Sequence, residues 1–127
     1  LGIDKQVIFP GYQQEIRKYM ETMDVFVLPS RSEGISISLL EACACGLPAV
    51  VTDAGGNREV VENEISGLVV PPADAGALAR AIEKLLSDAG LRQRTGAAAR
   101  KRVCDNFSIE KTVTEYEKIY ADVGACR

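Results

Sequence analysis

Short apolar runs alternate with longer stretches of helical periodicity, which predicts an α/β chain: a parallel, Rossmann-like sheet of about four strands with flanking helices and a helical carboxyl-terminal tail. Three features point that way. The runs Val7-Ile8-Phe9, Val25-Phe26-Val27-Leu28, Ala49-Val50-Val51-Thr52 and Gly67-Leu68-Val69-Val70 are almost continuously apolar, as strands covered on both faces must be. Most of the stretches around them repeat apolar residues three and four apart, as helices do. Each run ends in proline, glycine or polar residues, so every strand hands over to a loop.

The elements follow in order. Pro10-Gly11 closes the first strand, and Ile16, Tyr19, Met20 and Met23 mark a helix after it. Pro29 stops the second strand. A helix from about Ser36 to Cys45 ends at Gly46, with Pro48 just beyond, because glycine tolerates the left-handed conformation that closes a helix and proline cannot continue one. Gly55-Gly56 opens the loop after the third strand, and a short turn around Glu59-Val60-Val61 leads to the fourth, which Pro71-Pro72 ends. Asp74 is placed to cap a helix carrying Leu78, Ile82, Leu85 and Leu86 on one face. A second helix runs from Leu91 to about Asn106. Ser108 caps a third, whose stripe is Ile109, Val113, Tyr116, Tyr120 and Val123.

Composition narrows the function. The 127 residues, 46% hydrophobic and 26% charged, suit one ordinary globular domain and exclude disordered and fibrous classes. Fifteen basic against eighteen acidic residues give a net charge of −3, which argues against a nucleic-acid partner. Histidine is absent, so no His base, Ser–His pair or His-ligated metal can come from this chain. Cys43, Cys45, Cys104 and Cys126 have no metal-finger spacing and read as free thiols in a reducing cytoplasm. No run approaches a membrane span, and the start Leu1-Gly2-Ile3-Asp4-Lys5 is no signal peptide; lacking an initial Met, it reads as a piece of something longer.

Chemistry concentrates in Ser30-Arg31-Ser32-Glu33-Gly34-Ile35-Ser36-Ile37, which is small, polar and glycine-containing where a strand hands over to a helix. Free backbone N–H groups and the positive end of the helix dipole favour an anion such as phosphate there. Gly34 lets a ligand come close to the backbone. Glu41 lies in the second turn of a helix that is nearly apolar all round, so it is expected to be buried and to need a partner. The vicinal hydroxyls of a ribose suit a carboxylate, which accepts two hydrogen bonds side by side. Glu33, at the helix entrance, could reach hydroxyls of a group beside the phosphates. The plainer readings are a dipole-stabilising Glu33 and a Glu41 paired with a Lys or Arg.

Glu33 and Glu41 enclose seven residues within Leu28-Pro29-Ser30-Arg31-Ser32-Glu33-Gly34 and Leu40-Glu41-Ala42-Cys43-Ala44-Cys45-Gly46-Leu47-Pro48. That pattern resembles the E-x7-E signature of family 4 retaining glycosyltransferases of the GT-B fold. The similarity extends to Val7-Ile8-Phe9-Pro10-Gly11, Thr52-Asp53-Ala54-Gly55-Gly56, Glu59-Val60-Val61 and Gly67 to Pro72, and so covers nearly the whole chain. The resemblance implies the carboxyl-terminal domain, which binds a nucleotide-sugar donor without a metal or other cofactor. Glu41 would then hold the ribose hydroxyls and Glu33, as the catalytic carboxylate, would approach the donor sugar. The N–H groups of Ile35, Ser36 and Ile37 would meet the diphosphate beside Gly34, and Gly11-Tyr12 would lie near the base. The loop departs from the family's commonest Glu-Gly-Phe-Gly in having Ile35 and Ser36.

The resemblance also implies an amino-terminal acceptor domain, further strands and diphosphate-neutralising Arg and Lys residues, none of which lies in this sequence. A cytoplasmic glycosyltransferase parent is therefore expected, with this piece inactive alone. The alternative is a noncatalytic nucleotide-binding or interaction module that works beside a partner chain. Arg92, Arg94, Arg100, Lys101 and Arg102 read as a solvated helix face, with peripheral membrane association of the parent as the minority reading. Asp53 ends a strand as a receiver-domain phosphoacceptor does, but the accompanying acidic pair and Lys are missing, and that reading is rejected. The stripe of the last helix reads most simply as core packing; the resemblance, in which this helix crosses to the other domain, implies instead that part of its apolar face is uncovered, which together with open strand edges would promote self-association.

Overall fold

The computed structural model describes residues 2–125. After a 3-10 turn at Asp4–Gln6 come α1 (Ile16–Met20), β1 (Phe26–Leu28), α2 (Ile37–Ala44), β2 (Ala49–Thr52), α3 (Asn57–Val60), β3 (Gly67–Val70), α4 (Ala75–Ser87), α5 (Ala89–Asn106) and α6 (Ile109–Ala125). The three strands form one parallel sheet in the order β1-β2-β3. Phe26 pairs with Ala49 and Leu28 with Val51, while Ala49 pairs with Gly67 and Thr52 with Val70. The expected α/β class and parallel sheet are therefore present, with three strands.

Val7-Ile8-Phe9 is not one of them. That segment belongs to no strand, and Ile8 and Phe9 are 84% and 90% exposed. Three apolar residues before a proline make a strand only where a neighbour supplies a ladder and a face to cover them, and nothing among the described residues does so.

Alternate residues of β2 feed two cores. Ala49 and Val51 join Leu39 and Cys43 of α2, Val60 of α3 and Ala99 and Val103 of α5 on one face. Val50 points the other way, with Leu68 and Val70 of β3 and Ala81 and Leu85 of α4. All four β2 residues are buried, as the continuous apolar run requires. Side chains fix the helix ends: Asp74 and Ser108 as the sequence predicts, and Ser36 and Asp88 as caps that the structure adds. The Ser36 Oγ accepts from the Leu39 N–H, and Asp74 Oδ1 from that of Ala77 at 2.8 Å. Ser108 Oγ accepts from the Lys111 N–H. Asp88 follows the last residue of α4 and is the α5 N-cap, its carboxylate accepting from the Leu91 N–H at 2.8 Å.

Three expectations need correction. Glu41 is exposed, because α2 buries only Leu39, Ala42 and Cys43 and leaves the opposite side open. Leu86 is 52% exposed, since α4 turns Ala81 and Leu85 to the sheet instead. The basic stretch of α5 is only partly a solvated face. Arg92 donates to the Leu85 and Leu86 carbonyls at the end of α4, and Arg102 to those of Glu59 and Val60. Both guanidiniums satisfy carbonyls that a helix end leaves without partners.

α6 follows Phe107 and buries no residue whose side chain is described; Val113, Tyr116, Tyr120 and Val123 are all exposed. Among the described residues no helix is long and apolar enough to cross a membrane. Cys43, Cys45 and Cys104 are free thiols, and Cys126 lies outside the described residues.

Two tests follow from this packing. Gly96 of α5 sits against the loop that ends α2, where an added Cβ would lie 2.1 Å from the Gly46 carbonyl oxygen. Gly→Ala inside a helix normally stabilises by up to about 1 kcal/mol. Gly96→Ala should instead destabilise by about 1–3 kcal/mol in urea unfolding, because α5 must back away from that backbone. Gly90→Ala, whose Cβ would lie 3.2 Å from the end of the Arg94 side chain and 3.3 Å from Asp88 Oδ1 but against no backbone, should cost less than Gly96→Ala. Burial pushes the Cys43 thiol up to about 12. Peptide mapping after iodoacetamide treatment at pH 8 should therefore find exposed Cys104 alkylated and Cys43 untouched until the chain is unfolded.

Candidate functional site

Because the sheet is parallel, β1 and β2 both deliver their following loops to its carboxyl edge, where open α/β sheets bind ligands. The loop after β1, residues 29–36, carries Glu33 and leads into α2. The loop after β2, residues 53–56, leads into α3. These two loops touch through backbone: the Gly56 N–H donates to the Gly34 carbonyl at 3.0 Å. An added Cβ at Gly55 would fall 1.6 Å from the Glu33 carbonyl oxygen, and one at Gly56 would fall 2.6 Å from that of Gly34. Gly55 also has φ +53°, a left-handed conformation that side chains disfavour. Gly55-Gly56 is thus what lets the second loop support the first.

Side chains reinforce that support. Thr52, 4% exposed at the end of β2, donates its hydroxyl to the Ser30 carbonyl at 2.5 Å. Ser30 donates its own hydroxyl to Glu33 Oε1 at 2.6 Å. Fully buried Asn57 donates to the Thr52 carbonyl at 3.0 Å, tying α3 to the same point. Asp53 and Arg58 form a two-pronged ion pair at 2.5 and 2.7 Å on the outside of the second loop, and the guanidinium holds the Asp53 carboxyl below the usual carboxylate range.

Gly34 differs from the two glycines beneath it. An added Cβ there would meet nothing within 4 Å, so packing does not demand glycine, and its bare backbone faces open space. Ser36 has φ −76° and ψ 119°, which any residue adopts, and serves as the α2 N-cap. A side chain at this position therefore imposes no strain on the turn. Among the described residues, the N–H groups of Ile35, Ser36 and Ile37 have no protein acceptor. The α2 N-terminus thus presents consecutive free donors, with Glu33 beside them and Glu41 one turn further on.

Glu41 lines a depression of about 360 Å³ with Arg17, Met20, Glu21, Ala44, Cys45 and Arg100. Arg17 pairs with Glu21 at 2.7 Å, and no Lys or Arg pairs with Glu41 among the described residues. The expectation that burial forces Glu41 to find a partner is overturned: its carboxylate is solvated. Gly11 and Tyr12 are not brought to this place. Tyr12 is 89% exposed in a separate depression with Gln13, Gln14, Glu15, Lys18 and Tyr19. No group of three or more His, Cys, Asp or Glu residues is arranged to hold a metal ion among the described residues.

Sequence reasoning missed Ser30 and Thr52 as functional candidates. The available signal was a hydroxyl residue at or just beyond the end of each of two successive strands: Thr52 closes β2, and Ser30 stands two residues after β1.

The family model described as glycosyl transferases group 1 matches residues 1–102. N-acetyl-alpha-D-glucosaminyl L-malate synthase of Bacillus anthracis is 36% identical over 123 residues, 97% of this chain and 32% of that protein. Sucrose-phosphate synthase from Thermosynechococcus elongatus superposes with a TM-score of 0.92 at 32% identity, over 98% of this chain and 32% of the other. Anabaena HepE, solved in complex with UDP-glucose, gives 0.86 at 26% identity, over 98% of this chain and 34% of its own. The chain spans about a third of the length of the curated relatives it matches.

The loop contact is open to direct test. Gly55→Ala should destabilise by more than about 2 kcal/mol, since it combines left-handed strain with a backbone collision. Gly34→Ala should leave the urea midpoint within the error that a surface substitution gives. Equal effects of the two substitutions would show that the loops do not rest on each other.

Proposed function

The chain belongs to the glycosyl transferases group 1 family, and on that premise we propose that it is part of the carboxyl-terminal, donor-binding domain of a retaining family 4 enzyme. Its fold is the α/β, parallel-sheet arrangement of GT-B glycosyltransferases. The parent transfers a hexosyl group from a nucleoside-diphosphate sugar to an acceptor held by another domain, with no metal, in the cytoplasm. HepE, which shares this fold, has been solved with UDP and with UDP-glucose, which supports a nucleotide-sugar donor here.

The observation that carries the reading is the α2 N-terminus, whose free N–H groups at Ile35, Ser36 and Ile37 stand between two carboxylates. A diphosphate seated on those donors would be stabilised by hydrogen bonds and by the helix dipole. Charge grows on the diphosphate as the glycosidic bond breaks, so the same donors favour the transition state over the bound sugar nucleotide. Glu41 lies four residues beyond Ile37, about 6 Å along the helix axis at 1.5 Å per residue. A ribose joined to that diphosphate could reach it and offer both hydroxyls to one carboxylate. Glu33 stands on the other side of the donors, where the sugar would lie. Gly11-Tyr12 would complete the base contact by moving toward α2, and the uncovered stripe of α6 would dock on the acceptor half. Left uncovered, that stripe would drive self-association.

Calorimetric titration of the chain with UDP, GDP and ADP tests this. Saturable binding to one of them, weakened at least about 100-fold by Glu41→Ala, is expected, because two hydrogen bonds to a charged group would be lost. Glu41 is exposed and unpaired among the described residues, so the same variant should unfold at the wild-type urea concentration. Equal affinities would remove the ribose role. A folded chain that binds none of the three would overturn donor binding by these residues alone.

A further inference from the structure

We propose that Ser30 and Thr52 are positioning residues of the donor-sugar subsite, acting as a two-step hydroxyl relay that holds the Glu33 carboxylate in one orientation. The inference rests on the reading of Glu33 as the carboxylate that faces the donor sugar.

The geometry is specific to that task. Thr52 occupies the last position of the buried central strand, where its backbone is paired with Val70 of β3. Its hydroxyl donates to the Ser30 carbonyl at 2.5 Å, and its own carbonyl accepts from buried Asn57 at 3.0 Å. Ser30, anchored in this way, donates to Glu33 Oε1 at 2.6 Å. A hydroxyl donated to a carboxylate is one of the stronger neutral-to-charged contacts, and it fixes one oxygen while leaving the other to accept from a ligand. The Gly34 carbonyl, held by the Gly56 N–H at 3.0 Å, fixes the residue after Glu33 from the same loop. Glu33 is thereby restrained at both backbone and side chain by β2 and the turn after it, although it sits in an exposed loop. Thr52 and Ser30 touch neither phosphate nor sugar in this scheme; they act only through Glu33.

The test has one readout that needs no ligand and one that does. In the unliganded chain, three-bond NMR couplings should show a single χ1 rotamer for Glu33. Ser30→Ala and Thr52→Val should average it, while Ser30→Thr and Thr52→Ser, which keep a hydroxyl, should preserve it. Affinities are then compared in pairs: UDP with UDP-glucose and UDP-N-acetylglucosamine, GDP with GDP-mannose, ADP with ADP-glucose. Ser30→Ala should lower the sugar nucleotide's affinity relative to its own diphosphate about tenfold, the loss expected when a misoriented Glu33 carboxylate no longer makes its one hydrogen bond to a sugar hydroxyl. The diphosphate's own affinity should not change. Unaveraged couplings in Ser30→Ala and Thr52→Val would overturn the relay and leave the role of Glu33 intact. A parallel fall in both affinities would reduce Ser30 to a structural residue and overturn it as well. If Glu33→Gln leaves the affinity ratio unchanged, the sugar-facing reading itself fails, and the proposal falls with it even where the couplings average.

Discussion

The burial of β2 between two parallel neighbours is the constraint on which the rest depends. A parallel strand cannot be joined to its neighbour by a tight hairpin, so each connection must cross back over a face. The first crossing carries α2 and the second α3, both on the face that α5 also covers, while α4, after β3, covers the other face. Both faces of β2 are therefore covered, which is why Ala49, Val50, Val51 and Thr52 are all inaccessible to solvent. The same arrangement brings the ends of β1 and β2 out side by side, so the two following loops must meet. The backbone contacts among Glu33, Gly34, Gly55 and Gly56 all descend from that meeting.

The three glycines at this edge do different work. Gly55 and Gly56 are required by the fold, because any side chain would collide with the backbone of Glu33 or Gly34. Gly34 is not, because nothing stands within contact distance of a Cβ there. A glycine that packing does not require still has a conformational cost in the unfolded chain, and a bare, outward-facing backbone beside free N–H groups is where a ligand can approach most closely. Support below and access above are thus separated by one hydrogen bond, from the Gly56 N–H to the Gly34 carbonyl.

Much of this was legible in the sequence because it depends on local chemistry. Asp74 and Ser108 cap their helices because a side-chain oxygen one or two bonds from Cβ reaches back to a free N–H in any context. The β2 and β3 runs were legible because apolar residues without alternation leave few alternatives to a doubly covered strand. Val7-Ile8-Phe9 has the same composition and forms no strand, since a ladder belongs to a pair of strands and not to one. Glu41 failed for a related reason. The helix around it is apolar on most positions, and periodicity alone does not say which neighbours are present to cover them; here Ile37, 73% exposed, and Glu41 share an open side. Arg92 and Arg102 read as solvated because their acceptors, carbonyls of Leu85, Leu86, Glu59 and Val60, are main-chain groups of other elements that no residue pattern announces.

The exposure of Glu41 changes the logic of the proposed ribose contact more than it weakens it. A buried carboxylate must be compensated by the fold, so its removal perturbs stability and binding together and neither effect identifies the other. A solvated carboxylate with no ion-pair partner among the described residues has no part in holding the fold together. Whatever its substitution changes must come from what it touches when something is bound. Glu33 is the opposite case, since it is tied through Ser30 and Thr52 to the central strand. One carboxylate of the pair is therefore preorganised by the sheet and the other stands free on a helix. A rigid group suits a demand for fixed geometry at a reacting sugar, where small displacements cost rate. A solvated one suits a ribose, whose two hydroxyls can adjust to the carboxylate as they bind.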